Sequence, residues 1–261
     1  LKEKHPMTMT IAVAGKGGTG KTTVAALLCR ALMARNVKPL LAVDADPNTC
    51  LPERLGVRTD RTIGQLREEL RSDPNKVPAG IAKSEWLERL INQEISEAAG
   101  FDMIVMGRQE GPDCYCYINN LLRNCLAKIS NQYQAVIIDN EAGLEHLSRR
   151  TNGKVDIMLV VCQPTLLGAR TAQRIKQIMT SLKLKIGKAF IVLNQSEGTL
   201  SSELAAAFAE TGLKIVGSIP KDPQAERFEI KRQSLLELPA DAPMAHAVDE
   251  LVGKLLERSK A

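Results

Sequence analysis

Eight residues, Gly15-Lys16-Gly17-Gly18-Thr19-Gly20-Lys21-Thr22, constrain this chain more than any others. They follow Ile11-Ala12-Val13-Ala14, an apolar run of buried-strand length, and precede Val24, Leu27, Leu28, Ala31 and Leu32 at helical spacing. The segment fits the pattern G-x-x-x-x-G-K-[ST] without a gap, in the strand, turn and helix context that gives the pattern meaning. Glycines let the backbone curl so that successive N–H groups point inward, and the helix behind adds the positive end of its dipole. Such a loop cradles a phosphate chain. Gly15, Gly17, Gly18, Thr19 and Gly20 act through the backbone, Lys21 neutralises β/γ oxygens, and Thr22, followed by Thr23, offers a hydroxyl to Mg²⁺. A plain glycine turn before a helix is the alternative, and the complete motif between the right elements speaks against it.

Further along, apolar runs of strand length alternate with helical patterns. The runs are 39–44, 101–106, 135–139, 156–161, 188–193 and 213–219, with helices expected at 63–71, 84–98, 117–131, 167–182, 201–211 and 244–259. The expected fold is α/β: a doubly wound, mostly parallel sheet of about seven or eight strands flanked by helices, the P-loop NTPase arrangement. Residues 56–100 are more polar and read as a helical insertion in a single ATPase domain spanning 9–261, with 1–8 a disordered or appended N-terminus. Hydrophobic residues make up 44% of the 261 and aromatics only 3%, so the core must be aliphatic. No apolar run approaches the ~18 residues of a membrane span, and the charged start has no signal-peptide core. A cytoplasmic protein is expected. The net charge of +5 is spread along the chain and names no nucleic-acid partner.

Carboxylates and amides at strand ends come next, because ligands of open α/β sheets bind at the carboxyl edge. Asp139 closes Ala135-Val136-Ile137-Ile138, which is the Walker B pattern and places a carboxylate near the Mg²⁺ shell. Gly143 can offer an N–H to the γ-phosphate, making 140–150 a switch segment. Asp44 and Asp46 end the second strand, Asn194 the sixth, and Pro220-Lys221-Asp222 follows the seventh. Capping or turn-building is the alternative for each of these.

Six cysteines in a cytoplasmic chain point to metal binding or burial rather than disulfides. Cys29 and Cys125 fall in helices and Cys162 ends a strand, so all three are expected in the core, while Cys50 is ambiguous. Cys114-Tyr115-Cys116 differs, because it follows Gly111-Pro112-Asp113 in a loop. Two thiolates are too few for a closed tetrahedral metal site, but two copies about a twofold axis would supply four. A helix N-terminus behind them favours the thiolate form. Two buried cysteines at a helix start are the alternative.

Lys16, directly after the first glycine, is not required by the ordinary motif. With it the loop resembles the deviant phosphate loop of the ParA, MinD and nitrogenase-iron-protein superfamily. That resemblance implies a lysine reaching the partner subunit's nucleotide, as an arginine finger would. It also implies a first switch at Asp44 and Asp46, with Asp46 orienting the attacking water and Asp44 in the Mg²⁺ shell or facing the partner. Asn194 would read adenine, backed by the Pro220–Asp222 turn. Gly107 to Cys116, then Asn119-Asn120-Leu121-Leu122-Arg123, resembles the cysteine loop of CooC proteins, and Asp139 to Arg150 resembles their second switch. Asn140-Glu141 stands where ParA and MinD relatives carry Thr-Pro, which points to the CooC branch. CooC proteins are ATPases that assist nickel insertion into carbon monoxide dehydrogenase, and a related protein serves acetyl-CoA synthase. The resemblance therefore implies ATP and ADP, Mg²⁺, Ni²⁺ (with Zn²⁺ able to substitute) on Cys114 and Cys116, and a homodimer formed with nucleotide or metal. The client would be one of those two enzymes, with no nucleic acid and no membrane.

Other readings compete. A partitioning or positioning ATPase would bind DNA or membrane, but the stripe Val248, Leu251, Val252, Leu255, Leu256 lacks Trp and Phe and suits packing on the sheet. Lys183, Lys185 and Lys188 have no accompanying aromatic residues for nucleic acid. An iron–sulfur protein fits Cys-x-Cys spacing less well than a single ion does. A carrier whose nucleotide only locks the dimer is the last alternative.

Overall fold

A computed structural model describes residues 8–73, 76–108, 124, 126–141 and 155–259. In chain order the elements are β1 (Met9–Gly15), α1 (Lys21–Ala34), β2 (Leu40–Ala45), α2 (Leu51–Leu55), α3 (Ile63–Ser72), α4 (Lys83–Gln93), β3 (Ser96–Ala98) and β4 (Phe101–Val105). They continue as β5 (Ala135–Asn140), β6 (Val155–Cys162), α5 (Leu166–Ser181), β7 (Ile186–Ser196), α6 (Ser202–Glu210), β8 (Lys214–Pro220), α7 (Pro223–Ile230) and α8 (Pro243–Ser259). The strands form one sheet in the order β3-β4-β2-β5-β1-β6-β7-β8. Every pairing is parallel except β3 with β4.

Alternation along the strands builds two cores. Ile11 and Val13 of β1 face α1 and α8, packing with Leu27, Leu28, Leu32, Val248, Leu251 and Leu255. Ala12 and Ala14 face the other way, toward the layer that holds Leu66, Leu70, Leu87, Ile91 and Ile175 of α3, α4 and α5. Both faces of the central strands are buried, which is why they read as continuous apolar runs. The apolar stripe of α8 lies in the first core, with Val248 and Leu255 wholly buried, so sheet packing is what it does.

Three elements differ from the sequence expectation. The helix expected over 84–98 stops at Gln93, and Ser96–Ala98 turns back as an antiparallel edge strand. Ala98 pairs directly with Phe101 across a two-residue turn, where Gly100 takes φ 100°. The short helices α2 and α7 have no counterpart in the sequence expectation. Each begins with a proline in its first turn, and Asp222-Pro223 is an N-cap followed by N1 rather than a plain turn.

Candidate functional site

All the parallel strands end on one edge, and β1 is flanked there by β5 and β6. The loop after β1 is held by contacts only glycine permits. A Cβ on Gly15 would overlap the Val161 carbonyl. Gly20 adopts φ 88°, and a Cβ there would overlap the Asn194 amide. Around Lys16 the loop folds on itself. Its carbonyl accepts the Thr19 hydroxyl at 2.9 Å, the Thr19 N–H at 3.4 Å and the Lys21 ammonium at 3.4 Å. Lys21 is buried while Lys16, Gly17 and Gly18 are exposed, so one lysine points into the loop and the other is free to reach outward. Thr22 and Thr23 are half-buried at the first turn of α1.

Asp139 stands one strand away, paired in register with Val13. It is 1% exposed, and among the described residues neither carboxylate oxygen has a hydrogen-bond partner. Burial pushes its pKa up to about 6. The Thr22 hydroxyl and Lys21 ammonium, close by without completing a hydrogen bond, favour the ionised form, and Asp46 opposes it. A buried carboxylate with two unmet acceptors beside a lysine and a threonine fits a hard cation and its water shell. Thus the residues present fit Mg²⁺ with a bound nucleotide.

The other strand-end polar residues divide by what already occupies them. Asp44 is fully buried beside Asp139, and both its oxygens are engaged, Oδ1 by the Asp46 N–H at 2.9 Å and Oδ2 by the Leu51 N–H at 3.0 Å. Burial pushes its pKa up to about 7, opposed by the Asp46 N–H and reinforced by the Asp139 charge. The capping alternative therefore describes Asp44 as it stands. Asp46 is half-buried, and its Oδ1 accepts the Asn48 N–H and side-chain amide, both at 2.9 Å.

Asn194 is 2% exposed. Its Nδ2 donates to the Thr19 carbonyl at 2.8 Å, while its Oδ1 has no partner among the described residues. The residue expected to read the base is thus also a brace for the phosphate loop. Asp222 accepts the Gln224 and Ala225 N–H groups on Oδ1 and the Met244 N–H on Oδ2. It ties the starts of α7 and α8 together at the end of β8, beyond Pro220, and its carboxylate has no oxygen left unengaged.

Two residues went unrecognised in the sequence. Gln163 donates to the Gln195 side-chain oxygen at 2.7 Å, and both line a cavity of about 380 Å³ with Thr165, Ser196, Leu200 and Lys221. Polar residues directly after β6 and within the end of β7 were the available signal. Gln195 takes φ 56°, a conformation uncommon for a side chain of its kind.

Cys29 and Cys162 are buried as expected, and burial pushes each thiol up to about 12, which keeps it inert as a ligand. Cys50 is exposed at the start of α2, and its thiol is raised by partial burial and by the Asp44, Asp46 and Asp139 charges. Cys114, Cys116, Cys125 and Gly143 lie outside the described residues. No group of three metal-ligating side chains occurs among the described residues, and no helix among them is long and apolar enough to cross a membrane.

A glycine loop joining the central parallel strand to a helix, with a buried carboxylate closing the next strand, defines a P-loop ATPase. Residues 10–235 match the family model of the CobQ/CobB/MinD/ParA nucleotide binding domain, and the chain belongs to that family. It is 38% identical over 252 residues to an ATP-binding protein of Methanocaldococcus jannaschii, covering 96% of this chain and 99% of the relative. It is 29% identical over 265 residues to the carbon monoxide dehydrogenase accessory protein CooC of Rhodospirillum rubrum, covering 96% and 97%. Among solved structures, the septum site-determining protein MinD of Pyrococcus horikoshii OT3, complexed with Mg-ADP, superposes with a TM-score of 0.68 at 23% identity, covering 98% and 99%.

Proposed function

We propose that this chain is an ATP-driven accessory protein that binds Ni²⁺ as cargo between two subunits and assists its insertion into carbon monoxide dehydrogenase or acetyl-CoA synthase. The observation that carries the reading is the 29% identity to CooC of Rhodospirillum rubrum over nearly the full length of both chains, in a chain that carries Cys114-Tyr115-Cys116. The Met106 N–H donates to the Asp44 carbonyl at 2.8 Å, so the strand that precedes the cysteine segment in sequence is bonded to the strand that carries Asp44.

In this reading residues 9–261 act as one unit. The amides of Gly15 to Thr23 hold the phosphates, Lys21 exchanges its contact with the Lys16 carbonyl for the β/γ oxygens, and Thr22 and Asp139 hold Mg²⁺. When bound, the ion neutralises charge that develops on the transferred phosphoryl group. Asp46 orients the attacking water. The exposed Lys16 reaches the partner's nucleotide, and the Gly143 N–H senses the third phosphate. Asn194 keeps its brace on Thr19 and offers Oδ1 to an exocyclic amine of the base, while Pro220 and Asp222 shape the turn behind it. Nucleotide brings the two cysteine pairs together, and hydrolysis lets them part. Thiolates suit Ni²⁺, and the affinity order lets Zn²⁺ compete.

The likeness to MinD supports a second reading, a positioning ATPase that binds DNA or membrane. One experiment separates the two. Metal per chain and oligomeric state are measured without oxygen for the parent and for a Cys114→Ser/Cys116→Ser variant, each with and without a non-hydrolysable ATP analogue. One Ni²⁺ or Zn²⁺ per dimer, lost in the variant, is expected. Nucleotide-dependent dimers without metal in either protein would favour the positioning reading, to be followed by DNA and vesicle binding.

A further inference from the structure

Four positions at the carboxyl edge lie side by side. Asp44 pairs with Asp139 across β2 and β5, Asp139 with Val13 across β5 and β1, and Val13 with Leu159 across β1 and β6. The β1–β5 ladder ends at that row. The next residue of β5, Asn140, pairs through its backbone with Ala45 of β2. Its side chain goes the opposite way. Nδ2 donates to the Val13 carbonyl at 2.9 Å, with a longer contact to the Ile138 carbonyl at 3.4 Å, and the residue is 3% exposed. One buried amide thus bonds the strand that feeds the phosphate loop to the strand that carries Asp139, one residue past the last ladder step.

We infer that Asn140 is a positioning residue for ATP hydrolysis, holding the Asp139 carboxylate at a set distance from the phosphate loop through its bond to the Val13 carbonyl. The chemistry requires such a tie. Neither Asp139 carboxylate oxygen has a hydrogen-bond partner among the described residues, so its position is set by the strand that carries it. β5 ends at Asn140, and a buried backbone carbonyl past the last ladder step needs a side-chain donor to be satisfied. An amide suits the place, because it donates to a buried carbonyl without adding charge beside a carboxylate already raised by burial. Asn194 makes the matching contact from the other flank, Nδ2 to the Thr19 carbonyl. The loop is therefore braced before its first glycine and again before Gly20.

The test uses the full chain with Asn140→Leu, close in size with no donor, and Asn140→Ala. ATP turnover, the Mg²⁺ half-saturation of turnover, affinity for a fluorescent ATP analogue and thermal stability are measured on each. Loss of alignment is expected to lower kcat about 10- to 100-fold in both variants. The Mg²⁺ concentration needed should rise about tenfold, as for loss of an outer-shell partner, with analogue affinity within about threefold of the parent. An Asn140→Leu variant with parental kcat and Mg²⁺ dependence would overturn the inference, because filling the space would then suffice. So would a loss of turnover that follows a loss of folded protein or of nucleotide affinity. If neither variant folds, the amide serves folding and the inference fails.

Discussion

The centre of the sheet and its β3–β4 flank are held together by different physics. At the centre, Gly15, Gly20, Asn140 and Asn194 are bound by close backbone approach and buried amides, and the Asp139 carboxylate has no hydrogen-bond partner among the described residues. On the flank, a groove of about 600 Å³ opens between Pro47, Thr49, Arg61, Thr62, Gln65 and Arg108. Its ties are mostly at the surface. Arg61 pairs with Glu69 and Glu94, Arg89 with Glu85, and Thr62 and Gln65 form a capping box on α3. Groups at the centre have no solvent to replace a lost partner, whereas those on the flank do. The flank also has a close backbone contact: the Gly64 N–H donates to the Met106 carbonyl at 2.9 Å, and a Cβ on Gly64 would overlap the Arg108 carbonyl.

The sharpest break in this contrast is Lys21→Ala, which should lower ATP turnover about 10²- to 10³-fold, as removing an electrostatic stabiliser does. Turnover within tenfold of the parent would mean that the loop is not where the chemistry occurs. Gly64→Ala probes the backbone contact of the flank. Overpacking against backbone should cost about 1–3 kcal/mol in chemical denaturation. Affinity for an ATP analogue should stay within about threefold, because Gly64 meets Met106 and Arg108 and not the phosphate loop. A parallel loss of affinity would show that flank and centre form one rigid body.

Asp44 tests the electrostatics of the centre by pH. Its folded pKa, about 7, lies above that of the unfolded chain, so the native state holds a proton that the unfolded state has released. Its stabilising contribution is complete below the unfolded pKa and is lost as pH rises through about 7. The nucleotide-free protein should therefore lose stability as pH rises from about 4 to about 7, by on the order of a few kcal/mol from this group. Asp44→Asn should flatten that slope in thermal melts, leaving the part due to Asp139, which has the same sign. An unchanged slope would place the titration elsewhere. The smallest effect belongs to Arg61→Ala, whose pairs are partly exposed. It should cost under about 1 kcal/mol, and less still in high salt.

Much of this was readable in the chain. The strand, loop and helix around Lys21 are contiguous, and the central parallel strands are apolar runs, because burial on both faces leaves no room for polar residues. The edge strand Ser96–Ala98 was not readable. Three residues carry too little pattern, and a glycine turn rather than periodicity makes them a strand. Helices α2 and α7 were hidden by the prolines that start them. Among the polar residues, the motif marked Asp139, whereas Gln163 and Gln195 were marked only by their place at strand ends, and the contacts made by the Gln163 and Asn140 amides were not marked at all, because their partners lie 32 and 127 positions away.

Residue types set the chemistry in advance: glycines for an anion-binding turn, a lysine and a threonine for phosphate and cation, aspartates at strand ends. Tertiary structure assigned these groups to different tasks. Asp44 and Asp139 both end apolar runs and stand side by side, yet one is capped by two N–H groups and the other is left open. Asp222 serves two helix starts, and Asn140 and Asn194 prop the phosphate loop. The reason is geometric. A side chain's partners depend on which strand lies beside it and in what register, and that depends on contacts between segments far apart in sequence.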